Sequence, residues 1–521
     1  MIDARDLNDL FLEIPLLNSL PEEPIQVGGI KIDSRDVKPG DLYLAVKGTQ
    51  VDGHDFLSDA AAKGASALVG SDPVHEYPIP YLQVEDTREA LARLAAAWFD
   101  FPARQLIVIG VTGTDGKTTT VNLIHHILHA AGLNAGLIST VNAVIGDQIL
   151  DTGFHVTTPE AMDVQGYLAE MVKAGITHVV LEATSHGLAQ KRVAACEFDI
   201  GVVTNITHEH LDFHGDYKSY LDAKAELFHL LSSSSPKPYF VNKLAVLNAD
   251  DISYSALRDI STQLGLEAVE YGMKQGVDYR AGNINNRFNG IDFDLDNQDI
   301  SVAMKVSLLG EYNVYNCLAA AAACSAGLGL KWQEIQQGIS DLSGIPGRME
   351  RIDYGQDFLT VVDFAHTPNA LKVALSAVRK LTDKRVIVVF GSAGLRDKDK
   401  RRMMAEVSAG LADLTVLTAE DPRTESLDGI LEEMAQGMLD RGGKEGENFW
   451  RVPDRGGAIK FALDLAQKGD VVVVCGKGHE QSMCFGETEY PWDDRTATSS
   501  ALADLMGKSG PEMLSLPTTT S

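Results

Sequence analysis

A glycine-rich segment near residue 110 limits the fold of this chain more than any other feature. Residues 110–120 read Gly-Val-Thr-Gly-Thr-Asp-Gly-Lys-Thr-Thr-Thr and join an apolar run, residues 106–109, to residues 124–131, which have helical apolar spacing. A strand, a glycine-rich loop and a helix in this order bind phosphate, because backbone N–H groups and the helix N-terminus attract its oxygens. Lys117 supplies an ammonium and Thr118 a hydroxyl for Mg²⁺. The segment therefore predicts an α/β domain that binds ATP or GTP.

The spacing of this loop differs from that of the general phosphate-binding pattern. Five residues, rather than the usual four, separate Gly110 from Gly116, and a further glycine, Gly113, lies between them. The loop is therefore a variant whose extra glycine needs its own explanation.

Composition indicates a multidomain globular protein. The 521 residues suffice for about three domains, and 45% of them are hydrophobic and 23% charged. The net charge of −28 argues against a nucleic-acid-binding protein with a broad basic surface. The five cysteines are scattered without a Cys-x-x-Cys pair, which argues against a disulfide framework and a zinc site. With no leader-like start and no long apolar run, we expect a cytoplasmic protein without membrane insertion.

Apolar patterns and turn signals divide the chain into three segments and a tail. Residues 1–104 hold short apolar runs broken by Gly and Pro, which predict a small α/β module. Residues 105–343 alternate strand-like and helical patterns, which predict a doubly wound, mostly parallel sheet around the phosphate loop. Residues 344–507 repeat this alternation and predict a Rossmann-like domain. The polar residues 508–521 are predicted to be a disordered tail.

Chemically useful side chains follow the strands of the central segment. One strand leads into the phosphate loop, a second ends at Glu182, and a third leads into residues 204–214, which include His210. Because parallel strands direct their carboxyl ends at one crevice, we expect these groups near the phosphates. Glu182 and His210 could bind Mg²⁺ together with Thr118, although histidine is an unusual ligand for that ion. Ordinary polar loop residues are the alternative.

Lys224 lies in residues 217–228, whose apolar spacing predicts an amphipathic helix. Such helices routinely carry lysines that lay their stems on apolar neighbours and keep the ammonium in water. Spacing alone therefore predicts a solvated Lys224 without a chemical role.

Further polar stretches interrupt the apolar elements downstream. The side-chain amides of Asn313 and Asn316 could hydrogen-bond a purine. Arg348, after a Gly-Ile-Pro-Gly turn, could neutralise a transferring phosphoryl group, and Asp363, at a strand end, could bind ribose hydroxyls or waters on Mg²⁺. A helix cap, a linker turn with a surface arginine and a local turn explain these residues equally well.

The last segment places mixed charges after three strands. Residues 391–402 are rich in cations, and residues 418–423 and 475–480 carry both signs. Because these strand ends should share one edge of the sheet, a zwitterionic substrate would find partners for both of its charges. The alternative for the basic stretch is the solvated start of a helix.

Taken in chain order, these motifs resemble those of the Mur ligases, and within that family the enzymes that add the third peptide residue in peptidoglycan synthesis. The resemblance runs from about residue 25 to residue 507. It rests on residues 112–118, 182–192, 208–214, 224, 313–316, 347–348, 363–368, 396–402 and 476–480. The spacing within residues 112–117 resembles the Mur ligase form of the phosphate loop, which accounts for the extra glycine.

The resemblance implies an ATP-dependent amide ligase. The γ-phosphate of ATP would move to the D-Glu side-chain carboxylate of UDP-MurNAc-L-Ala-D-Glu, and the amine of a diamino acid would attack the acyl phosphate. A carboxylate needs such activation because it is a poor electrophile at neutral pH. In the family, two Mg²⁺ ions and a CO₂-derived carbamate on the lysine matching Lys224 assist, which reverses the prediction from spacing. The implied catalytic residues are Lys117, Glu182, His210, Lys224 and Arg348.

The resemblance also implies the binding residues for the nucleotide, the metal and the nucleotide-sugar. The nucleotide set is Gly113, Thr114, Asp115, Gly116, Lys117, Thr118, Thr119, Asn316, Arg348, Asp363 and His366. The metal set is Thr118, Glu182, His210 and Lys224. The UDP-sugar set is Ser34, Thr49, Gln50, Thr157, Thr158, Thr184, Gln190 and Arg192. Thr49 departs from the family's usual histidine and Thr184 from its usual serine, but a hydroxyl is available at both positions.

The identity of the added amino acid is less clear. Enzymes that add meso-diaminopimelate carry Asp-Asn-Pro-Arg, whose arginine pairs with the distal carboxylate that lysine lacks. Here the motif reads Glu420-Asp421-Pro422-Arg423, so Asp421 replaces a neutral amide with an anion that could suit lysine or ornithine. We favour diaminopimelate, because an arginine facing lysine would stay unpaired. The implied pocket residues are Arg396, Glu420, Asp421, Arg423, Gly476 and Glu480.

Three other functions are compatible with parts of the sequence. Folylpolyglutamate synthetases and other Mur ligases share the ATP machinery, but the N-terminal and C-terminal motifs argue against them. A catalytically inactive Mur-like scaffold would have lost residues such as Lys117 and Lys224, which are present. A GTPase would carry an Asn-Lys-x-Asp stretch, which is absent from the sequence. We therefore expect a monomeric enzyme with small-molecule substrates and no nucleic-acid partner.

Overall fold

The computed structural model describes residues 4–48, 51–73, 76–150, 158–207, 211–237, 242–287, 289–297 and 300–519. The chain divides into two compact units, of which the first comprises Met1–Arg280 and Tyr315–Gly338 and the second Ala281–Val314 and Ile339–Ser521. Strands and helices are numbered along the chain. Among the described residues, no helix combines the length and the apolar character needed to cross a membrane.

The N-terminal part of the first unit contains a four-stranded parallel sheet in the order β3-β4-β5-β6, and β1 and β2 form a separate antiparallel pair. The strands are β1 (Arg5–Asp6), β2 (Gln26–Val27), β3 (Ile30–Lys31), β4 (Leu42–Leu44), β5 (Ala67–Gly70) and β6 (Tyr81–Gln83). The helices are α1 (Leu7–Leu10), α2 (Leu57–Ala62) and α3 (Thr87–Trp98). Leu42, Val69 and Leu94 lie in the core between the sheet and α3.

A larger sheet occupies the rest of the first unit, with strands in the order β10-β9-β8-β11-β7-β12-β13-β14. The strands are β7 (Ile107–Thr112), β8 (Ala135–Ile138), β9 (Ala143–Ile145), β10 (Gln148–Leu150), β11 (His178–Glu182), β12 (Ile200–Val203), β13 (Leu244–Asn248), β14 (Glu267–Gly272) and β15 (Tyr279–Arg287), which starts beside β14. The helices are α4 (Lys117–Ala130), α5 (Ala161–Lys173), α6 (Ser185–Ala189), α7 (Leu211–His214), α8 (Tyr217–Ser233), α9 (Tyr254–Gln263), α10 (Tyr312–Ala322) and α11 (Trp332–Asp341). Only the β8–β9 and β9–β10 pairs are antiparallel within this order, so the predicted mostly parallel sheet is confirmed.

The position of β7 decides where a ligand can bind. β7 pairs in parallel with β11 on one side and with β12 on the other. The next strands along the chain, β8 and β11, lie on the first side, and β12 and β13 lie on the second, so the strand order reverses at β7. A doubly wound sheet opens a crevice at such a reversal of strand order, outside the carboxyl ends of the strands. The loops after β7, β11 and β12 therefore meet at this crevice.

The second unit has its own sheet in the order β18-β19-β23-β20-β21-β22, which is parallel except at β18. The strands are β16 (Gly290–Asn297), β17 (Ile300–Val306), β18 (Glu350–Arg351), β19 (Leu359–Asp363), β20 (Val386–Phe390), β21 (Leu414–Leu417), β22 (Phe449–Arg451), β23 (Val471–Cys475), β24 (Ser482–Phe485) and β25 (Thr488–Pro491). The helices are α12 (Pro368–Arg379), α13 (Asp399–Leu411), α14 (Leu427–Asp440), α15 (Arg455–Leu465) and α16 (Asp494–Leu505). The predicted Rossmann-like alternation is confirmed, while β16–β17 and β24–β25 add two antiparallel hairpins.

The C-terminal residues differ from the disorder that their composition predicts. Leu516 is buried in the core of the second unit. The hydroxyls of Thr518 and Thr519 donate to Asp454 Oδ1 at 3.2 and 2.8 Å. These contacts attach the tail to the start of α15. The boundaries at residues 104 and 343 stay predictions.

Candidate active site

Two glycines give the phosphate loop its shape. Gly116, which precedes α4, has φ +82°, and a Cβ there would lie 2.3 Å from Asn316 Oδ1. Gly113 has φ +151°, and a Cβ there would lie 1.8 Å from Thr204 Oγ1. No other residue type fits either position without movement of its neighbours. The extra glycine is therefore needed because the loop passes directly against the end of β12.

The segment after β12 holds the loop from the other side. Thr114 N donates to Asn205 O at 2.7 Å, and Asp115 N donates to Asn205 Oδ1 at 3.0 Å. Asn205 Nδ2 and Thr204 Oγ1 both donate to Asp115 O, at 3.0 and 2.6 Å. The backbone N–H groups at the start of α4 are thereby presented from a fixed loop, as a phosphate site requires.

Lys117 and Thr118, at the start of α4, and Glu182, at the end of β11, lie at this crevice. Lys117 Nζ donates to Thr114 O at 2.7 Å, and the Thr118 hydroxyl donates to Glu182 Oε2 at 2.9 Å. Both Thr118 and Glu182 are buried. A hydroxyl oxygen next to a carboxylate oxygen is a pair of donors that suits Mg²⁺. His210 lies outside the described residues, so its role as a ligand stays a prediction.

Among the described residues, no three or more His, Cys, Asp or Glu side chains lie together in a way that could hold a metal ion. A metal at Thr118 and Glu182 would therefore need donors beyond such a cluster, from substrate, from solvent or from residues outside the described ranges, such as His210.

Lys224 contacts the phosphate loop and is buried, so the prediction of a solvated lysine from its spacing is wrong. Its Nζ donates to Gly113 O at 2.5 Å and lies 4.6 Å from the centre of the Tyr220 ring. Tyr220, one helical turn earlier, has its hydroxyl 3.1 Å from Thr114 Oγ1. Two side chains of α8 therefore contact the loop.

Asn316 lies beside the phosphate loop, where a Cβ on Gly116 would come within 2.3 Å of its Oδ1. It is buried on α10, and its Oδ1 accepts from Thr120 Oγ1 at 3.4 Å. Thr119 is buried in the first turn of α4, whereas Asp115 is exposed.

Three of the predicted nucleotide-sugar residues, Thr158, Thr184 and Arg192, form one linked group around α6. Thr184 Oγ1 caps the helix by accepting from Gly187 N at 3.1 Å and lies 2.9 Å from Thr158 Oγ1. Arg192 Nη1 donates to Thr158 O at 2.5 Å, and its Nη2 lies 2.7 Å from a carboxylate oxygen of Glu160. Burial lowers the pKa of Arg192, although Glu160 opposes that shift.

The other predicted nucleotide-sugar residues are more scattered. Gln190 is half-buried directly after α6. Ser34 lies in the N-terminal part of the unit, where its side chain is buried and its carbonyl accepts from Lys63 Nζ at 2.7 Å. Thr49, Gln50 and Thr157 lie outside the described residues.

In the second unit, Arg348 lies over the face of Phe364, with Cζ 4.6 Å from the ring centre. Its Nε is buried and has no hydrogen-bond partner in the described part of the chain. Gly347 is required here, because it has φ +65° and a Cβ would lie 2.1 Å from His479 N. Burial, followed by the charge of Arg348, lowers the pKa of His479 to about 3. An unsatisfied guanidinium N–H is available for an anionic ligand.

Asp363 and His366 belong to the same loop of the second unit. Asp363 accepts from Met349 N at 2.7 Å and from Ala365 N at 2.9 Å. His366 Nδ1 lies 2.9 Å from Phe364 O. The Asp363 carboxylate therefore fixes the backbone next to Arg348. This contact does not follow from the sequence pattern.

The predicted amino-acid residues lie at the carboxyl ends of β20, β21 and β23, which are neighbours in the sheet. Glu420 is buried, and its Oε2 has no partner among the described residues. Burial raises the pKa of Glu420, against the lowering effects of Lys400, Arg455 and Lys477. Gly476, with φ +118°, is required beside it, because a Cβ there would lie 2.4 Å from Glu420 Oε2.

The arginines and acids of this site have different surroundings. Arg423 is half-buried and Arg396 is exposed, and neither guanidinium has a hydrogen bond or an ion pair within the described ranges. Asp421 and Glu480 both pair with the buried Lys477, Asp421 Oδ2 at 3.0 Å and Glu480 Oε2 at 2.5 Å. The arginines can therefore receive an anion, whereas both carboxylate oxygens of Asp421 and one of Glu480 have partners within the protein.

Three further residues have contacts at the candidate sites but were not among the predicted site residues: Asn205, Tyr220 and Lys477. Tyr220 precedes Lys224 by four residues, a spacing that places the two side chains on one helix face and could have identified it. Asn205 and Lys477 lie within motifs that carry other candidates, and no spacing signal separates them from their neighbours.

Three family models match the chain. The Mur ligase family catalytic domain matches residues 26–99, the Mur ligase middle domain residues 111–324, and the Mur ligase glutamate ligase domain residues 347–478. Each match falls inside one of the three segments that the sequence predicts.

Relatives match along almost the whole length. The UDP-N-acetylmuramyl-tripeptide synthetase of Roseiflexus sp. (strain RS-1) is 40% identical, over 93% of this chain and 96% of the relative. The UDP-N-acetylmuramoyl-L-alanyl-D-glutamate--2,6-diaminopimelate ligase of Geobacillus kaustophilus (strain HTA426) is 39% identical, over 94% of this chain and 99% of the relative. A solved structure of a UDP-N-acetylmuramoyl-L-alanyl-D-glutamate--2,6-diaminopimelate ligase has a TM-score of 0.68 at 30% identity, covering 96% of this chain and 99% of that one. This chain belongs to the Mur ligase family.

Proposed function

We propose that this protein is an ATP-dependent ligase of peptidoglycan synthesis. It joins meso-diaminopimelate to the D-Glu side-chain carboxylate of UDP-MurNAc-L-Ala-D-Glu. The observation that carries this proposal is the burial of Lys224 against Gly113 O of the phosphate loop, because nucleotide binding alone does not require a lysine there. Relatives with diaminopimelate ligase names match nearly the whole chain. We further propose that the enzyme acts as a monomer in the cytoplasm.

ATP would bind with its phosphates at the N-terminus of α4. The loop's backbone N–H groups and Lys117 Nζ can together meet the β- and γ-phosphates. The present partner of Lys117 Nζ is Thr114 O, a contact that a phosphate oxygen can replace. Arg348, whose Nε lacks a partner in the described part of the chain, would offset charge that develops on the transferred phosphoryl group.

Thr118, Glu182 and Lys224 are the described residues that we propose for a Mg²⁺ site. Thr118 Oγ1 and Glu182 Oε2 are buried oxygen donors 2.9 Å apart. Mg²⁺, when bound, would neutralise phosphate charge. A carbamate on Lys224 would exchange a buried ammonium for oxygen donors facing the same loop. His210 and a second Mg²⁺ ion remain part of the proposal.

The two other substrates would be held by separate residue groups. The linked group of Thr158, Thr184 and Arg192, together with Gln190 and Ser34, is proposed for the nucleotide-sugar, along with Thr49, Gln50 and Thr157. Arg423 is proposed for the distal carboxylate of diaminopimelate, because a guanidinium forms two parallel hydrogen bonds with a carboxylate. Arg396 and Gly476 would border that carboxylate, and Glu420 and Glu480 would receive an ammonium group.

Phosphate release from ATP tests the proposal directly. The assay contains purified protein, UDP-MurNAc-L-Ala-D-Glu, Mg²⁺ and one of meso-diaminopimelate, L-lysine or L-ornithine, with the product mass measured in parallel. We expect release that depends on the amine, and a product heavier by one diaminopimelate residue. Lys117→Ala is the inactive control. Absence of amine-dependent turnover with all three amines would refute the ligase and favour an inactive nucleotide-sugar-binding scaffold.

A further inference from the structure

Asp421 is neutralised from inside the protein. Lys477 Nζ lies 3.0 Å from both carboxylate oxygens of Asp421, and Cys484 N donates to Oδ1 at 2.9 Å. The side chain of Lys477 is 1% exposed and that of Asp421 9%. An anion that already has an ammonium and an N–H as partners offers little attraction to the amine of a substrate.

Lys477 also binds Glu480 Oε2 at 2.5 Å, so one ammonium is shared by two carboxylates. Burial opposes its charge, but Glu480 and Asp421 together raise the pKa of Lys477, which keeps it an ammonium. We refer to Asp421, Lys477 and Glu480 as the acid–lysine cluster, which has one net negative charge. Glu480, with a quarter of its side chain exposed, is the member that can still meet a ligand.

The backbone around Asp421 depends on the same contacts. Asp421 and Arg423 have φ +40° and +53°, in the left-handed region that is unfavourable for a residue with a side chain. Asp421 O accepts from Gly394 N at 2.9 Å, and Arg423 N donates to Cys484 O at 3.1 Å. Lys477 and β24 therefore fix the turn that presents Arg423.

We propose that Lys477 is the positioning residue that sets amino-acid selectivity. It cancels the charge of Asp421, so that this aspartate acts like the neutral amide it replaces. Arg423 is then left to select a substrate with a distal carboxylate. The inference rests on the proposed ligase function. It explains how the chain can carry an anion in the motif and still prefer diaminopimelate to lysine. If Asp421 instead bound the amine, Lys477 would lose a buried partner, which is strongly unfavourable.

A charge-matched set of variants tests this role. The measured quantity is the ratio of kcat/KM for meso-diaminopimelate to that for L-lysine. Lys477→Met raises the cluster charge from one negative to two, so we expect the ratio to fall by at least about tenfold, mainly through KM for the amine. Lys477→Met with Asp421→Asn restores one negative charge, and the ratio should return to within about threefold of the original. Asp421→Asn alone should leave the ratio equal or higher.

The exposed Lys468→Met is the matched control and should keep the original ratio. KM for ATP should stay unchanged in all variants, which separates a selectivity effect from general damage. An unchanged ratio in Lys477→Met, a ratio in the double variant as low as in Lys477→Met, or a fall in Asp421→Asn overturns the inference. If Lys477→Met does not fold, a folded double variant with the original ratio supports the inference. If the double variant does not fold either, the ratio of Asp421→Asn decides, and a fall in that ratio overturns the inference. No turnover of the unmodified enzyme with any amine refutes the proposed function instead.

Discussion

At the scale of single residues, we expect Lys224, whose Nζ donates to Gly113 O, to matter most for catalysis. Lys224→Ala removes both this contact and the amine that a carbamate would occupy. We expect the ligase rate to fall by about a thousandfold or more, the size of effect seen when a group that stabilises transition-state charge is lost. Acetate or formate added to Lys224→Ala should restore part of the rate, because a small carboxylate can enter the vacated volume.

The matched control is Lys218→Ala, an exposed lysine of the same helix, which should keep the original rate. Phosphate release is the measurement for both variants. Full activity of Lys224→Ala would contradict the role given to Lys224, and a lost rate without any carboxylate rescue would leave only the contact with the loop as its function.

Protonation of Glu420 should weaken the binding of the amine at acid pH. Burial raises its pKa, so the carboxyl becomes neutral at a higher pH than an exposed glutamate. Only the ionised form attracts an ammonium group, so kcat/KM for the amine should fall as the pH falls through this raised pKa. Glu420→Gln should raise KM for the amine at least about tenfold, as loss of one charge-assisted hydrogen bond does, and should remove this pH dependence. A pH profile of kcat/KM is the measurement, and a pH dependence that persists in Glu420→Gln would contradict the assignment.

The site residues differ in how far the sequence could predict them. Glu182 and Lys117 follow from strand ends and loop spacing, since parallel strands bring those positions together. The burial of Lys224 does not follow, because helical spacing gives the face of a residue but not what packs against that face. The neutralisation of Asp421 depends on Lys477, which lies fifty-six positions away in the chain. Such a pairing is decided by tertiary structure.

At the scale of elements, the parallel sheets were the most predictable part of the fold. Strands at Val386–Phe390, Leu414–Leu417 and Val471–Cys475 are buried on both faces, and continuous apolar runs are typical of such strands. The C-terminal tail was less predictable, because its polar composition does not reveal that Asp454 binds Thr518 and Thr519.

The connection between β7 and α4 is the element on which nucleotide binding depends most. Gly113→Ala would place a Cβ 1.8 Å from Thr204 Oγ1, so the loop or the end of β12 must move. We expect KM for ATP to rise at least about tenfold, because backbone N–H groups bind phosphate only from a fixed geometry. Gly132→Ala is the control: its φ of +73° is also positive, but nothing lies within 4 Å of the added carbon. Equal KM values for ATP in the two variants would show that the close approach to Thr204 does not matter.

At the scale of the whole molecule, buried histidines predict loss of stability in mild acid. Burial, the leading cause in each case, lowers the pKa of His125 and of His178 to about 4 and that of His479 to about 3. The unfolded chain takes up these protons near the ordinary histidine pKa of about 6.5, whereas the folded chain does not. The stability they contribute is therefore complete above that pH and is lost as the pH falls from there toward the folded pKa values.

Each of these histidines should lower the free energy of unfolding by up to about 1.4 kcal/mol per pH unit in this window. The midpoint of thermal unfolding, measured from pH 7 to pH 5, should fall steadily, and the fall should be smaller in His178→Asn because one such proton uptake is removed. His229→Gln, at an exposed position of α8, should reproduce the original pH dependence. Since His125 and His178 lie in the first unit and His479 in the second, both units should lose stability over the same range. A midpoint that stays constant down to pH 5 would mean that these imidazoles accept protons in the folded chain.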